Sequence, residues 1–353
     1  MTTIAVGLSG GVDSTLSALL LKEQGHHVIG LSMSIYNREI PMKTLSGDAC
    51  YGPSEKQDIR DIQKWGAENQ IETHIIDLSE AYKATVLKYF KDSYLSGETP
   101  NPCVMCNTTM KFGLLAQTAR AQGIRFDLFA TGHYARVAQE NNKFILKRGI
   151  DPHKDQSYFL YRLSQEQLSQ IIFPLGELTK DQVRQMARER GLTVADKADS
   201  QDFYAGDYAD LLEQPPKPGQ IVLADGTVVG RHQGFWNYTI GQRKGLGIAY
   251  PEPLYVVDID AHHNRVIVAT ADKTYQSQGT VHSVVWGGII DNLTEPLSVG
   301  VKYRSAGKIV PATIYPSGDD VRIVFNQPQR ALSRGQSAVF YQSDCVIGGG
   351  IIR

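Results

Sequence analysis

The sequence predicts an α/β domain with a mainly parallel sheet, followed by modules built almost entirely of β-strands. In roughly the first two hundred residues, short apolar runs alternate with amphipathic segments of helical period, which is typical of a doubly wound sheet. After about residue 206 the helical segments nearly vanish, and short β-branched runs separated by turn signals replace them. At 353 residues the chain is too long for one ordinary core. We therefore predict three domains: residues 1–205 (α/β), 206–275 (a small β-rich central module) and 276–353 (a β-barrel).

Each predicted element follows from its local pattern. Apolar runs predict strands at residues 3–8, 27–36, 73–78 and 127–135. Amphipathic period predicts helices at residues 13–25, 54–70, 79–95, 108–123 and 178–191. The pair Asp225–Gly226 predicts a hairpin turn. A second hairpin is predicted over 254–270, and further strands near 281–286, 298–304, 309–315, 321–326 and 337–341.

Composition limits the classes of function. The formal net charge is −1, so a nucleic-acid site would have to be a local basic patch. No apolar run approaches the roughly 18–20 residues that span a bilayer, and the amino-terminal segment lacks the features of a secretory signal. Four cysteines are too few for a disulfide framework in a chain of this length. We expect a cytoplasmic protein without a membrane partner, whose cysteines are free, catalytic or metal-bound.

The segment "SGGVDS" at residues 9–14 predicts a phosphate site. It joins the first strand to the first helix, where paired glycines allow close approach of an anion and unpaired amides attract it. The segment has no lysine and lacks the GxGxxG spacing, so it is neither the lysine-bearing phosphate loop nor a dinucleotide fingerprint. The alternative is that residues 9–14 form only a tight turn between strand and helix, without a ligand. The complete string "SGGVDS" favours the nucleotide site over this alternative.

Six motifs together resemble those of one family, the tRNA-specific 2-thiouridylases of the MnmA type. In chain order they are "SGGVDS", "GETPNPCVMCNTTMKFG" (97–113), "ATGHYAR" (130–136), "DQSYFL" (155–160), "YTIGQRKGLGI" (238–248) and "RALSRGQSAVFY" (330–341). The resemblance spans the whole chain and implies a Rossmann-like PP-loop ATP pyrophosphatase domain. It implies a transferase that uses ATP and Mg²⁺ to adenylate the C2 carbonyl oxygen of the tRNA wobble uridine, after which sulfur displaces AMP. The implied partners are tRNA and a sulfur donor, either hydrosulfide or a sulfur-carrier protein.

The resemblance also implies roles for individual residues. ATP is expected to contact Gly7, Leu8, Ser9, Gly10, Gly11, Val12, Asp13, Ser14, Met33 and Gly132. The tRNA is expected near Asn101, Pro102, Cys103, His133, Lys154, Asp155, Gln156, Lys302, Tyr303 and Gln336. Cys106 matches the nucleophilic cysteine. Met33 as plain core and Lys302 as an ordinary solvated lysine remain alternatives.

Aromatic and basic residues interleave at residues 231–247. Arg231, Arg243 and Lys244 are candidates for phosphate contacts. Trp236 and Tyr238 either stack on a base or form the core of the small β module, and the sequence does not separate these alternatives.

The chain departs from the family pattern at its cysteines. Tyr204 stands where the usual form of the family has the cysteine that carries a persulfide, and a phenol cannot accept sulfane sulfur. Cys103 replaces a common aspartate and forms a C-x-x-C with Cys106, while Cys50 follows the second strand. We therefore predict that Cys50, Cys103 and Cys106 bind a 4Fe–4S cluster that presents hydrosulfide. A persulfide on Cys106 resolved by Cys103 is the alternative, and zinc on the C-x-x-C is a weaker one.

Two other classes of function remain open at this point. One is a PP-loop ligase or amidase that acts on a small metabolite, although nothing in the sequence resembles a glutaminase. The other is an RNA-binding protein that has lost catalysis, which the intact "SGGVDS" and Cys106 disfavour. Cys345 is expected to be a packed cysteine. The sequence leaves the roles of Asp202 and Tyr204 open, and filling the space of the absent thiol is one alternative.

Overall fold

The first half of the protein contains the predicted parallel sheet. A computed structural model describes residues 1–37, 49–197 and 202–353. The strands of this half are β1 (Thr3–Gly7), β2 (His27–Ser34), β3 (Ala49–Tyr51), β4 (Glu72–Asp77), β5 (Leu128–Ala130), β6 (Ala135–Glu140), β7 (Lys143–Arg148) and β8 (Ile171–Ile172). Five of them form one sheet in the order β4-β2-β1-β5-β8, and every pairing within it is parallel. The prediction of a doubly wound α/β domain is therefore confirmed.

Helices pack against this sheet and connect its strands. They are α1 (Val12–Glu23), α2 (Glu55–Glu68), α3 (Ser79–Tyr82), α4 (Lys88–Leu95), α5 (Pro102–Met105), α6 (Ala116–Ala121), α7 (Gln165–Ser169), α8 (Lys180–Glu189) and α9 (Tyr208–Leu212). Two π-helical segments join neighbours, Lys83–Leu87 between α3 and α4 and Cys106–Leu115 between α5 and α6. Short 3₁₀ turns occupy Ser157–Phe159, Phe235–Asn237 and Ala271–Thr274. Among the described residues, no helix is long and apolar enough to cross a membrane.

The helix predicted at residues 108–123 begins earlier than expected. Its first turn starts at Pro102, and the side chain of Asn101 accepts a hydrogen bond from the amide of Val104 at 3.4 Å. Asparagine at the N-cap and proline at the first helical position are both favourable start signals. The predicted start at residue 108 was therefore wrong, and both cysteines of the C-x-x-C lie on helical backbone.

A small four-stranded sheet follows the α/β part. Strand β9 (Asp202–Tyr204) pairs with β3 and is separate from this sheet. The four strands of the sheet are β10 (Gly219–Val222), β11 (Val228–His232), β12 (Tyr255–Asp260) and β13 (Arg265–Ala269), and they lie in the order β11-β10-β13-β12. The predicted turn at Asp225–Gly226 links β10 to β11, and Gly226 has the positive φ of +90° that this turn requires.

The carboxyl-terminal strands close into a barrel. They are β14 (Tyr275–Trp286), β15 (Leu297–Lys302), β16 (Val310–Ser317), β17 (Asp320–Arg330), β18 (Ser337–Gln342) and β19 (Cys345–Ile352). Neighbours pair in the order β14-β17-β16-β15-β18-β19, and β14 also pairs with β19. This closure leaves the barrel without free edges and confirms the predicted C-terminal β-barrel.

The hairpin of β6 and β7 was not predicted, and it extends the barrel sheet. Cys345 on β19 pairs with Lys147 on β7. The hairpin turns at Asn141 and Asn142, whose φ angles of +49° and +61° suit a two-residue turn. The proposed domain division at residues 205 and 275 assigns this hairpin to the first domain by sequence, although it pairs with a strand of the third.

Candidate functional site

A cavity of about 200 Å³ opens at the carboxyl ends of β1, β2 and β5. Ligand sites of open parallel sheets occur at this edge. The expected nucleotide residues that line it are Gly7, Leu8, Ser9, Asp13, Ser14, Met33 and Gly132. Gly10, Gly11 and Val12 do not line it, and Val12, the first residue of α1, is buried in the core. We refer to this space as the nucleotide cavity.

The glycine loop is held in one conformation by its own side chains. The hydroxyl of Ser14 donates to the carbonyl of Gly11 at 3.1 Å and accepts from the amide of Ser9 at 3.2 Å. Gly10 has a φ of +74°, which glycine adopts without strain. At Gly132 an added Cβ would lie 2.7 Å from the carbonyl carbon of Asp13, so this position has no room for a side chain.

Asp13 connects the loop to two residues that the sequence did not identify. Its carboxylate accepts hydrogen bonds from the ammonium of Lys180 at 2.8 Å and from the hydroxyl of Tyr134 at 2.8 Å. The Lys180 side chain is only 8% exposed. Lys180 is the first residue of α8, and its backbone amide donates to the carboxylate of Asp151. A basic residue at the beginning of a helix is unfavourable next to the helix dipole, and this was the available sequence signal.

A second, larger cavity of about 410 Å³ contains the three sulfhydryls of interest. We refer to it as the thiol cavity. Its described lining is Cys50, Tyr82, Pro100, Asn101, Pro102, Cys103, Cys106, Asn107, Lys111, His133, Gln156, Phe159, Phe203, Tyr208, Ser305 and Gln336. Lys111, His133 and Gln156 line both cavities, so the two spaces meet at these side chains. The barrel contributes Gln336, whose amide donates to the carbonyls of Thr99 and Pro100 at 3.0 and 2.9 Å.

Burial in the thiol cavity favours the neutral forms of Cys106, His133 and Tyr82. Burial raises the pKa of Cys106 to about 11, with Lys111 opposing the shift and Cys50 adding to it. Burial, and then the charge of Lys111, lowers the pKa of His133 well below its usual value, so its imidazole is uncharged at neutral pH. Its Nδ1 lies 2.7 Å from the hydroxyl of Thr131. Burial, followed by the nearby thiols Cys106, Cys50 and Cys103, raises the pKa of Tyr82 well above its ordinary value.

The three thiols share a cavity without forming a ligand set. All four cysteines of the chain are free thiols. Within residues 1–37, 49–197 and 202–353, no three His, Cys, Asp or Glu side chains are grouped closely enough to hold a metal ion. The predicted cluster ligands Cys50, Cys103 and Cys106 are therefore brought to one space, but not to coordinating positions.

Comparisons with known proteins agree along the whole length of the chain. A family model described as the tRNA methyl transferase HUP domain matches residues 2–204, a PRC-barrel domain model matches 211–270, and an aminomethyltransferase β-barrel domain model matches 277–352. The tRNA-specific 2-thiouridylase MnmA of Endomicrobium trichonymphae is 46% identical over 355 residues, which cover 99% of this chain and 98% of that protein. The protein of the same name from Acetivibrio thermocellus is 42% identical over 361 residues, covering 99% of each. The chain belongs to the tRNA-specific 2-thiouridylase family.

Solved structures show only a partial likeness to this 2-thiouridylase family member. A 4-thiouridine synthetase in complex with RNA and ATP is 15% identical, with a TM-score of 0.38 over 61% of this chain and 46% of that one. The NMN synthetase of Francisella tularensis is 19% identical, with a TM-score of 0.33 over 60% of this chain and 68% of that one. The family assignment rests on the sequence relatives alone.

Several residues expected near tRNA from the 2-thiouridylase resemblance lie outside both cavities. The carboxylate of Asp155 is 2% exposed and pairs with Arg148 at 3.1 Å, so it already has a structural partner. The Lys302 ammonium lies 5.7 Å from the centre of the Tyr158 ring, and burial lowers the pKa of this lysine. The Tyr303 hydroxyl donates to Gln329 at 3.2 Å. Lys154 lies beside Asp155 and lines neither cavity.

The aromatic residues of the segment 231–247 belong to the core. Trp236 and Tyr238 are 7% and 9% exposed and pack in the hydrophobic core. Burial favours core packing over the alternative of base stacking. Arg231, Arg243 and Lys244 are exposed and stay candidates for phosphate contacts.

Tyr204, where the family resemblance implies a cysteine, packs in the hydrophobic core. Strand β9 pairs in parallel with β3, with Tyr204 opposite Tyr51, and the two ring centroids are 6.0 Å apart. Phe203 lines the thiol cavity, whereas Tyr204 is 1% exposed within the aromatic core. The neighbouring strand β3 instead brings Cys50 to the cavity. The family's cysteine is matched to Tyr204 through the Asp199–Ser200 pair of the sequence. That pair and the side chain of Asp202 lie outside the described residues.

Tyr204→Phe is expected to stabilise the fold by up to about 1 kcal/mol. The hydroxyl of Tyr204 is buried and has no hydrogen-bond partner among the described residues, so its removal relieves a desolvation cost. Thermal unfolding measures the change. Tyr158→Phe is the matched control, because the buried Tyr158 hydroxyl donates to the carbonyl of Ser337 at 3.0 Å, and its loss should destabilise by about 1 kcal/mol. Equal destabilisation by both variants would contradict this view of Tyr204.

Proposed function

We propose that this protein catalyses the ATP-dependent 2-thiolation of the wobble uridine of tRNA. The observation that supports this most directly is the contact between the nucleotide cavity and the thiol cavity across Lys111, His133 and Gln156. An enzyme that activates a base with ATP and then sulfurates it needs these two spaces side by side. The names of the relatives, tRNA-specific 2-thiouridylase, agree with this chemistry.

The first half-reaction activates the base. The C2 carbonyl oxygen of uridine attacks the α-phosphorus of ATP, an oxygen–phosphorus bond forms, and pyrophosphate leaves with the electron pair of the broken bond. The glycine loop and the amides at the start of α1 hold the phosphates, since a helix start attracts anions. ATP would arrive as its Mg²⁺ complex, and Asp13 is the carboxylate that lines the nucleotide cavity.

The second half-reaction replaces oxygen with sulfur. Sulfur attacks C2, a carbon–sulfur bond forms, and the C2–oxygen bond breaks so that AMP departs with its electron pair. A base must leave the anticodon stack to reach a cavity of this kind. Phe159 and Phe203 give that cavity apolar walls, while Asn101 and the neutral His133 supply polar groups beside Cys106.

The carrier of the sulfur is a thiol of this cavity. The arrangement of Cys50, Cys103 and Cys106 does not fit a metal ligand set among the described residues. In the thiol route, the terminal sulfur of a Cys106 persulfide attacks C2. The Cys103 thiolate then attacks the Cys106 sulfur, and this step forms a disulfide and releases the thiocarbonyl.

One measurement separates the thiol route from the predicted cluster. Iron and acid-labile sulfide are assayed per chain after anaerobic reconstitution, in the wild type and in Cys50→Ala. About four of each, lost in Cys50→Ala, would establish the cluster. Absence of iron together with a persulfide on Cys106, detected by mass spectrometry after exposure to a sulfur donor, would establish the thiol route.

The function itself is tested with purified protein, tRNA transcript, ATP, a donor of sulfane sulfur that can load the Cys106 persulfide, and a thiol that reduces the Cys103–Cys106 disulfide after each turnover. We expect 2-thiouridine in the digested tRNA and pyrophosphate release that depends on tRNA. Pyrophosphate release that is independent of tRNA would favour a small-metabolite ligase or amidase instead. Tight tRNA binding without pyrophosphate or AMP would indicate an RNA-binding protein that has lost catalysis.

A further inference from the structure

Lys111 lies where three cavities meet. It is part of the π-helical segment Cys106–Leu115 that follows the C-x-x-C. It lines the nucleotide cavity, the thiol cavity and a third space of about 150 Å³ that contains Cys50 and Glu55. No other residue in the described parts of the chain lines all three. The side chain is therefore placed to contact a ligand that spans nucleotide and base.

The acidic groups around these cavities are already engaged by other partners. Asp13 pairs with Lys180, and Asp58 pairs with Lys197 at 3.4 Å. Glu55 accepts hydrogen bonds from the hydroxyl of Ser34 and from two backbone amides. Lys111 itself makes no ion pair with any residue that the structure describes. Its positive charge is left for a bound anion.

The nucleotide cavity otherwise offers few cations. The loop "SGGVDS" contains no lysine or arginine. Among the described lining of the nucleotide and thiol cavities, Lys111 is the one lysine or arginine. A phosphoryl group in transfer accumulates negative charge on its oxygens, and preorganised cations stabilise that charge strongly where water is excluded.

We propose that Lys111 is a further catalytic residue whose ammonium binds the α-phosphoryl group during adenylation and the AMP leaving group during sulfur transfer. This inference rests on the proposed function. In the first step the charge develops on the α-phosphoryl oxygens as pyrophosphate leaves. In the second step the electron pair of the broken C2–oxygen bond passes to AMP. One cation between the two cavities can contact the same phosphate in both steps.

The test compares Lys111→Gln with Lys111→Arg in single-turnover reactions with saturating ATP and tRNA. Lys111→Gln is expected to slow pyrophosphate release and 2-thiouridine formation by about 10²–10³-fold, the usual effect of removing one transition-state donor. In steady-state reactions at varied ATP concentration, the KM for ATP should change by less than about fivefold, because the loop holds the remaining phosphates. Lys111→Arg keeps the charge and should stay within about tenfold of the wild type, since the geometry of arginine differs. Lys64→Gln on α2, whose side chain is 76% exposed, is the matched control and should behave as the wild type.

The outcomes separate the inference from the function. Pyrophosphate release by Lys111→Gln at the wild-type rate, with an active wild type, overturns the inference and leaves the function standing. An equal loss in Lys111→Arg, together with a lowered melting temperature in both variants, shows a structural role and also overturns it. Failure of the wild type to release pyrophosphate with tRNA overturns the proposed function, and the inference with it.

Discussion

Cys106→Ala is expected to lower 2-thiouridine formation by at least about a thousandfold while pyrophosphate release continues, a loss of the size seen when a nucleophile is removed. Cys106 lines the thiol cavity and not the nucleotide cavity, so its removal takes away the sulfur carrier without touching the ATP site. Mass spectrometry of digested tRNA measures the first quantity, and a coupled pyrophosphate assay measures the second.

The matched control for this change is Cys345→Ala. Cys345 lies in the barrel strand β19, beside Asp344, and lines neither cavity. The Cys345→Ala variant should thiolate tRNA at the wild-type rate. Substantial 2-thiouridine from Cys106→Ala would remove Cys106 from the sulfur pathway and leave Cys103 and Cys50 as the remaining thiols of the cavity.

Gly132→Ala should weaken ATP binding by at least about tenfold, because displaced loop amides would lose hydrogen bonds to the phosphates that are each worth about 1.5–3 kcal/mol. An added Cβ would lie 2.7 Å from the carbonyl carbon of Asp13 and 2.8 Å from the amide nitrogen of Ser14. Both are backbone atoms of the glycine loop and the first turn of α1, so the loop itself must shift. Calorimetric titration with a non-hydrolysable ATP analogue measures the loss.

A control glycine separates the local effect from general instability. At Gly279 an added Cβ meets only the end of the Leu332 side chain at 3.1 Å, and Gly279 does not line the nucleotide cavity. Gly279→Ala should bind the analogue as the wild type does. If folded Gly132→Ala also bound it normally, the close approach of residue 132 to the loop would have no role in ATP binding.

The carboxyl-terminal barrel helps to shape the thiol cavity. The amide of Thr99 donates to the carbonyl of Arg334 at 2.8 Å, and Gln336 donates to the carbonyls of Thr99 and Pro100. These contacts fix the segment that precedes the N-cap Asn101. The position of the C-x-x-C helix therefore depends on the carboxyl-terminal part of the chain.

Local sequence patterns predicted most of the fold. The parallel strands, the turn at Asp225–Gly226 and the change to β structure depend on neighbours within a few residues, and all were found. The hairpin of β6 and β7 was missed because its residues alternate weakly between polar and apolar, and it gains its partner only from β19. The start of the C-x-x-C helix was missed although Asn101 and Pro102 carried the signal.

The sequence by itself determined the fold class, the glycine loop and the candidate thiols, since these depend on local pattern and residue chemistry. Tertiary structure alone decided which distant groups meet. It paired Asp13 with Lys180 across 167 residues, brought Cys50 to the cavity of Cys103 and Cys106, and turned Tyr204 into the core. Such contacts between residues distant in sequence follow from the packing of whole strands and helices. Within one strand, adjacent side chains face opposite sides, and only the assembled sheet fixes which side is the cavity.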